Sequence, residues 1–167
     1  RTQFATELRE LGANFTPVEF NQVGSREGSP NFRAQLLADP DAEVARVLSE
    51  GEHTCAALAG FLAELAISTH RSGIVFDDPI TSLDHTWRRK VAERLAEEAQ
   101  HRQVVVFTHD TVFLLFLLEA SKKMKQKVHC HHLTRTRRST GIVVHDVPWI
   151  AMGVSKRIGV LNARLQE

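Results

Sequence analysis

Residues 73–110 read GIVFDDPITSLDHTWRRKVAERLAEEAQHRQVVVFTHD, two apolar runs separated by a charged segment. The runs Gly73–Phe76 and Gln103–Phe107 are short, apolar and rich in β-branched residues, and each predicts a strand. Between them, His85–His101 has apolar residues at helical spacing and predicts an amphipathic helix. Strand, helix and strand within about 35 residues are the size of a βαβ unit, whose two strands run parallel. Because neither run alternates with polar residues, we expect both faces of these strands to be covered.

Each of the two predicted strands ends in polar residues. Asp77 and Asp78 follow the first strand, and Thr108 and His109 follow the second. Parallel strands present their carboxyl ends at one edge of the sheet, where ligands bind in open α/β folds. Adjacent carboxylates at such an edge suit a hydrated Mg²⁺ and an attacking water, because Mg²⁺ takes one or two carboxylates together with substrate phosphates. The alternative is a polar loop in which the acids only cap the following turn.

A second helix is predicted upstream of this unit, over residues 50–69, which are apolar nearly all round and therefore typical of a buried helix. Ser49 is the predicted N-cap, and Glu52 follows three residues later, as in a capping box. Cys55 lies on this helix and is expected to be buried packing rather than a nucleophile.

The two ends of the chain are less regular. Residues 1–47 are interrupted by Gly, Pro and Asn, and the short runs Val18–Val23 and Phe32–Leu37 predict a small sheet. Downstream of the central unit we expect a helix over residues 111–121, a strand over residues 142–145 and a partly helical tail from residue 149.

The composition is that of a globular domain. The chain has 167 residues, of which 43% are hydrophobic and 25% charged, with a formal charge of +1. These values exclude wholesale disorder and a globally basic surface. Its two cysteines cannot form a disulfide scaffold, and with no apolar run long enough to span a membrane we expect a cytoplasmic protein. The chain begins with Arg1 rather than Met, so we expect a fragment of a longer protein.

Three segments, in this order, resemble the motifs of ABC-type ATPases. Leu48–Glu52 resembles the signature motif, Asp77–Asp84 resembles the Walker B motif with its D-loop, and Val105–His109 resembles the H-loop. Within this group the chain is most similar to the SMC, RecN and RecF-type branch, and also to RloC-like ATPases. The resemblance implies a P-loop NTPase-like α/β fold, with parallel strands flanked by helices and a small antiparallel N-terminal sheet. It also implies ATP and Mg²⁺ as ligands, a homodimer of heads, and a role in DNA repair, chromosome maintenance or phage defence.

The resemblance assigns a role to each matching residue on the Walker B and H-loop side. Asp77 would hold Mg²⁺ through water, and Asp78 would stand where the general base or water-orienting acid sits. His109 would contact the γ-phosphate. Asp78 departs from the usual Glu and is one methylene shorter, which puts the rate of hydrolysis in question.

The remaining assigned residues would act across the dimer interface. Ser49 and the backbone at Gly51 would bind the γ-phosphate of the partner's ATP, because a helix N-terminus attracts anions. Glu52 of the same signature segment is counted with them among the nucleotide-binding residues. Asp84 of the D-loop would contact the partner head. Glu50 stands where Gly is usual, and an acid close to a phosphate is electrostatically unfavourable unless it points away.

The chain contains no G-x-x-x-x-G-K-[ST] sequence, the loop that cradles the β- and γ-phosphates. We therefore expect it to be the C-terminal lobe of a split head whose N-terminal lobe lies elsewhere. In this interpretation residues 1–47 form the re-entry and a small β edge. Residues 48–118 form the ATPase lobe, and residues 119–167 form a basic connection, a strand and a helical tail.

A basic stretch follows the last predicted helix of the lobe. Seven Lys and Arg residues and no acids lie between Ala120 and His145: Lys122, Lys123, Lys125, Lys127, Arg135, Arg137 and Arg138. They indicate either contact with a nucleic-acid backbone or a solvated connection. A nucleic-acid-binding module is therefore one alternative function. A degenerate dimerisation lobe without ATPase activity is another, and Asp in place of Glu at position 78 is its main support. A zinc site at residues 129–132 is disfavoured by their spacing.

Overall fold

The structure is a computed structural model that describes residues 2–13, 18–26, 29–37, 39, 44–135, 139–144 and 147–164. Six helices and six strands occur within these ranges, together with a short 3₁₀ turn at Trp149–Ala151. The helices are α1 (Thr2–Glu10), α2 (Val44–Val47), α3 (Glu50–Ile67), α4 (His85–Glu98), α5 (Thr111–Lys123) and α6 (Val154–Arg164). The strands are β1 (Val18–Arg26), β2 (Ser29–Leu36), β3 (Ile74–Asp77), β4 (Val104–Phe107), β5 (His132–Thr134) and β6 (Ile142–Val144).

The described strands form three two-stranded sheets. β3 and β4 are parallel, with Ile74 opposite Val104 and Asp77 opposite Phe107, and α4 lies between them in the chain. This confirms the predicted βαβ unit. β1 and β2 are antiparallel and confirm the small N-terminal sheet, while β5 and β6 form a second antiparallel pair. The sequence analysis did not identify α1, α2 or β5.

The core lies between helices, with α1 packed against α3 and α4 packed against α5. The largest fully buried apolar side chains are Phe113, Leu11, Leu62, Leu95 and Val91. They come from α3, α4 and α5 and from the turn after α1, so burial of apolar surface joins these elements. Cys55 is also fully buried, and this burial raises the pKa of its thiol to about 11, as expected for a packing residue.

The expectation that both faces of the parallel strands are covered is wrong for this chain. Ile74 and Phe76 are buried on one face, but Val75 is 62% exposed and Phe107 is 46% exposed. Asp77, two residues beyond Val75 and opposite Phe107, lies on the same exposed face. An apolar run indicates that both faces of a strand are suited to burial. It does not indicate whether the residues that would cover each face belong to this chain.

A network of ionic side chains joins α1 to the C-terminal half of α4. The Arg94 guanidinium on α4 donates to both carboxylate oxygens of Glu7 on α1, at 2.8 and 3.0 Å, and to Glu98 at 3.1 Å. Glu98 also accepts a hydrogen bond from Arg102 at 2.7 Å. Burial alone would lower the pKa of Arg94, but the hydrogen bonds and charges of Glu7 and Glu98 outweigh burial and raise it. The buried carboxylate of Glu7 therefore fixes α1 against α4.

No helix in the described part of the chain is long and apolar enough to cross a membrane. The predicted division into residues 1–47, 48–118 and 119–167 stays a prediction, as does the assignment of the first segment to a re-entry. Part of that segment, and His145 of the predicted last strand, lie outside the described residues.

The variant Glu7→Ala tests the buried ion pair. It should lower the free energy of unfolding by about 3 kcal/mol or more, because breaking a buried pair leaves a charge without its partner. Urea denaturation of the purified chain measures this loss. The matched control is Glu119→Ala, which removes the exposed partner of Arg89 and Lys123 and should change stability little. Equal losses in the two variants would contradict a special contribution from Glu7.

Candidate functional site

The carboxyl ends of β3 and β4 lie side by side, and both carry the polar residues predicted for a site. The Asp78 backbone N–H donates to the Phe107 carbonyl at 2.9 Å, which continues the ladder one residue beyond the strands. This pairing brings Asp77 and Asp78 next to Thr108 and His109. The structure therefore assembles the four residues that the sequence analysis placed at this edge.

Asp78 is the centre of this cluster. Its backbone has a positive φ of 48°, a conformation that Asp tolerates better than most residues. One carboxylate oxygen accepts a hydrogen bond from the Thr108 hydroxyl at 3.1 Å, and the other lies 2.6 Å from His109 Nδ1. The Asp78 side chain is thus oriented by two residues that follow β4.

His109 and Asp77 face outward from the same edge. The His109 side chain is 87% exposed, so Nδ1 is held by Asp78 while the rest of the ring is accessible. The Asp77 carboxylate is also exposed, and within the described residues no hydrogen bond or ion pair engages it. Among all the residues that the structure describes, no three or more His, Cys, Asp or Glu side chains lie close enough together to hold a metal ion. A Mg²⁺ at Asp77 would therefore need phosphate and water oxygens to complete its shell.

The start of α3 is closed by the predicted capping box. The Ser49 hydroxyl oxygen accepts from the Glu52 backbone N–H at 3.3 Å, and the Glu52 carboxylate accepts from the Ser49 backbone N–H at 2.8 Å. This pairing confirms Ser49 as the N-cap. It also engages the Glu52 side chain in the cap, at the positive end of the helix dipole.

Gly51 allows the start of α3 to pack against Ser82–Asp84 of the same chain, the segment predicted to be the D-loop and called the D-loop segment below. An added Cβ at Gly51 would lie 2.7 Å from the Ser82 carbonyl oxygen and 3.3 Å from the Trp87 ring. Ser82 itself has a positive φ of 63°, which turns the segment toward α3. The sequence analysis assigned Gly51 to phosphate binding and missed this contact, because it joins segments about 30 residues apart.

The N-termini of the next two helices lie at the same edge. Asp84 caps α4, and one of its oxygens accepts from the backbone N–H groups of Thr86 and Trp87, both at 2.9 Å. Asp110 caps α5 by accepting from the Phe113 N–H at 2.8 Å. The Arg88 guanidinium, on the first turn of α4, lies 2.5 Å from the other Asp110 oxygen. Neither Arg88 nor Asp110 was singled out from the sequence.

The basic residues lie apart from this cluster, toward the C-terminal end of α5. Lys122, Lys123 and Lys125 are exposed, and so is Arg135 after β5, while Arg137 and Arg138 lie outside the described residues. Lys123 lies 3.1 Å from Glu119. The hydrogen bond from Lys123 and its charge, with the hydrogen bond from Arg89, lower the pKa of Glu119.

The variant Gly51→Ala tests the contact between α3 and the D-loop segment. Ala favours a helix over Gly, so without the contact the change should stabilise α3. With the contact, the added methyl group meets the Ser82 carbonyl, and we expect a loss of about 1–3 kcal/mol in the free energy of unfolding. Urea denaturation measures the sign of the change. Gly159→Ala on α6 is the control, since no atom lies within 4 Å of its added Cβ. A stabilised Gly51→Ala variant would contradict the contact.

A family model described as an AAA domain matches residues 3–147. No curated protein matches the sequence. Many solved structures are similar in fold, and the three described below have sequence identities that show the fold alone.

The first comes from work on ATP-driven dimerization and DNA-stimulated activation of SMC ATPases. It is 17% identical with a TM-score of 0.55, over 99% of this chain and 92% of that chain. The second is an Smc head domain with a coiled coil and joint from Pyrococcus yayanosii. It is 16% identical with a TM-score of 0.58, over 98% of this chain and 28% of that chain. The third is an Smc head bound to the C-winged helix domain of ScpA, 20% identical with a TM-score of 0.51, over 69% of this chain and 35% of that chain.

This chain thus spans about a third or less of two of these structures. The matches confirm the predicted P-loop NTPase-like α/β fold. The chain belongs to the family of AAA domains, and its fold is that of an SMC-like ABC ATPase head.

Proposed function

We propose that this chain is the C-terminal lobe of a cytoplasmic ABC-type ATPase that hydrolyses ATP between two heads. The observation that carries this proposal is the cluster at the ends of β3 and β4, where Thr108 and His109 orient the Asp78 carboxylate. A carboxylate held in this way can orient an attacking water, and the exposed histidine beside it can contact a phosphate. The family of AAA domains and the fold of SMC heads support the same conclusion.

Asp78 is the residue that we assign to the attacking water. Each carboxylate oxygen has two lone pairs, so Asp78 can accept a hydrogen bond from water and keep its contacts with Thr108 and His109. In phosphoryl transfer the protein mainly positions the nucleophile and stabilises charge. A carboxylate with its rotamer fixed by two neighbours orients the water without further loss of side-chain entropy.

His109 is assigned to the γ-phosphate. Its contact with Asp78 through Nδ1 fixes the ring, in the way that a carboxylate often orients a functional histidine. The other ring nitrogen, Nε2, then lies on the exposed side and can donate to a phosphate oxygen.

Asp77 is assigned to Mg²⁺, and its exposed carboxylate fits this assignment. Mg²⁺ bound with ATP would neutralise charge on the phosphates, while Asp77 would hold the ion through a water molecule. The exposed side chains of Val75 and Phe107 lie on the same face of the sheet as Asp77. We assign this face to contact with the N-terminal lobe, which would carry the missing phosphate-binding loop.

Ser49, Gly51 and Asp84 are assigned to the surface that meets the second head. The close contact of Gly51 with Ser82 holds the signature segment and the D-loop segment together in one chain. Both segments can then meet the partner's ATP as one surface. Glu52 contributes to this surface through the cap, since it keeps Ser49 in position.

DNA is the proposed effector. The side chains of Lys122, Lys123 and Lys125, at the C-terminal end of α5 and just after it, are exposed and can neutralise backbone phosphates. One SMC ATPase with this fold is described as stimulated by DNA. DNA repair, chromosome maintenance and phage defence are the processes in which we propose that such an ATPase acts.

The variant Asp78→Asn should abolish hydrolysis and preserve ATP binding, because the amide cannot serve as a base but keeps the size of the side chain. The measurement is Mg²⁺-ATP turnover by the longest natural chain, with nucleotide binding measured in parallel. The control Glu97→Gln neutralises an exposed acid on α4, far from the cluster, and should turn over normally. Unchanged turnover in Asp78→Asn would remove the assigned role of Asp78.

The variant Ser49→Arg should leave ATP binding by each head intact and block turnover that depends on dimerisation. The large cation would occupy the start of α3, where the partner's phosphate is proposed to bind. Sedimentation with ATP would report the loss of the dimer. Ser72→Arg introduces the same charge on an exposed loop and should behave as wild type. A Ser49→Arg protein that dimerises and hydrolyses ATP at the wild-type rate would refute the signature assignment.

A further inference from the structure

Arg88 lies where the D-loop segment, α4 and the loop after β4 meet. Its Nε donates to the Leu83 carbonyl at 2.8 Å, and its Nη1 lies 2.5 Å from Asp110 Oδ2. The Arg88 side chain is 30% exposed and that of Asp110 is 18% exposed, so water screens this pair only partly. One guanidinium thus bridges two loops, each of which carries residues assigned to ATP hydrolysis.

On the other side of this bridge, Asp110 is connected to the proposed catalytic acid through two successive hydrogen bonds. The Asp110 N–H donates to the Thr108 hydroxyl oxygen at 3.1 Å, and that hydroxyl donates to Asp78 at 3.1 Å. Between them in sequence, His109 contacts the second Asp78 oxygen. A shift of Asp110 would therefore move both neighbours of Asp78.

At the other end of the Arg88 bridge lies Leu83, which directly precedes Asp84 in the D-loop segment. The Leu83 side chain is buried, and its carbonyl accepts from Arg88, so the position of the D-loop segment and that of the guanidinium are linked. Charge-assisted hydrogen bonds of this type are short and directional, and Lys cannot reproduce the two-pronged geometry of Arg.

We propose that Arg88 is a positioning residue that makes the geometry of the Asp78–His109 pair depend on the position of the D-loop segment. This inference rests on the proposed ATPase function. In this proposal, a partner head that contacts Asp84 shifts the D-loop segment. Arg88 and Asp110 then pass this shift to Asp78, the carboxylate assigned to the attacking water. Arg88 itself does not contact ATP.

Arg89 provides a matched control on the next position of α4. It also joins α4 to α5, because its Nη1 lies 3.2 Å from Glu119 and its guanidinium lies 4.3 Å from the centre of the Phe116 ring. Arg89 contacts neither loop of the cluster through these interactions. Replacing Arg89 therefore removes a similar helix–helix tie and leaves the link from Leu83 to Asp110 in place.

The kinetic experiment uses the longest natural chain, with Arg88→Ala, Arg88→Lys, Asp110→Asn and the double variant Arg88→Ala/Asp110→Asn. Asp110→Asn keeps an oxygen for the helix cap and removes the charged acceptor. We expect kcat to fall about tenfold to a hundredfold in each variant, because a small displacement of Asp78 from the attacking water slows the chemical step. The KM for ATP should change little. The double variant should be no slower than the slower single variant, since both break one link. Arg89→Ala should retain the wild-type kcat.

Hydrogen exchange measured on the same proteins tests the link without turnover. Arg88→Ala should increase exchange both at residues 83–87 and at residues 110–113, whereas Arg89→Ala should not. If Asp78→Asn abolishes turnover but Arg88→Ala matches Arg89→Ala in kcat and exchange, the proposed role of Arg88 is wrong and the ATPase function stands. If the wild-type chain hydrolyses no ATP, the proposed function fails. In that case, faster exchange in Arg88→Ala but not in Arg89→Ala would still support the structural link. Equal exchange in the two variants would overturn the link as well.

Discussion

The parallel pairing of β3 with β4 is the constraint on which the rest of this structure depends. The ladder from Ile74–Val104 to Asp77–Phe107 fixes the register, and the Asp78 N–H extends it beyond the strands. Two parallel strands cannot be joined by a hairpin, so the chain must return along α4. As a result, α4 and α5 both begin at the edge where β3 and β4 end.

The N-termini of three helices, α3, α4 and α5, lie at that edge. The start of α3 is among them because Gly51 lets it approach Ser82. Helix N-termini favour anions, and the edge is therefore suited to phosphate. Yet each N-terminus is already capped, by Ser49 with Glu52, by Asp84 and by Asp110. The carboxylates of these caps, with Asp77 and Asp78, make the edge rich in acids. Bound phosphates would therefore need positive groups from elsewhere.

Helix α4 is joined to different parts of the structure at its two ends. Near its N-terminus, Arg88 joins the D-loop segment to the loop that carries His109. Near its C-terminus, Arg94 and Glu98 join α4 to the buried Glu7 of α1 and to Arg102. Because the C-terminal half is held by buried charges, the helix provides a fixed support for the loops at its N-terminus. Buried ion pairs contribute little net stability, but they strongly disfavour alternative arrangements that would leave a charge unpaired.

The sequence by itself determined the features that depend on local chemistry. The βαβ unit, the small N-terminal sheet and the capping box of α3 could be predicted because apolar periodicity and cap residues act over a few positions. The convergence of Asp78 and His109 also followed, since parallel strands must end at one edge. Only the tertiary structure decided the contacts between distant segments. The Glu7–Arg94 ion pair was missed because its partners lie 87 positions apart, and the Arg88–Asp110 bridge was missed because its partners lie 22 positions apart. Such contacts depend on how elements pack in three dimensions, and no spacing along the chain encodes them.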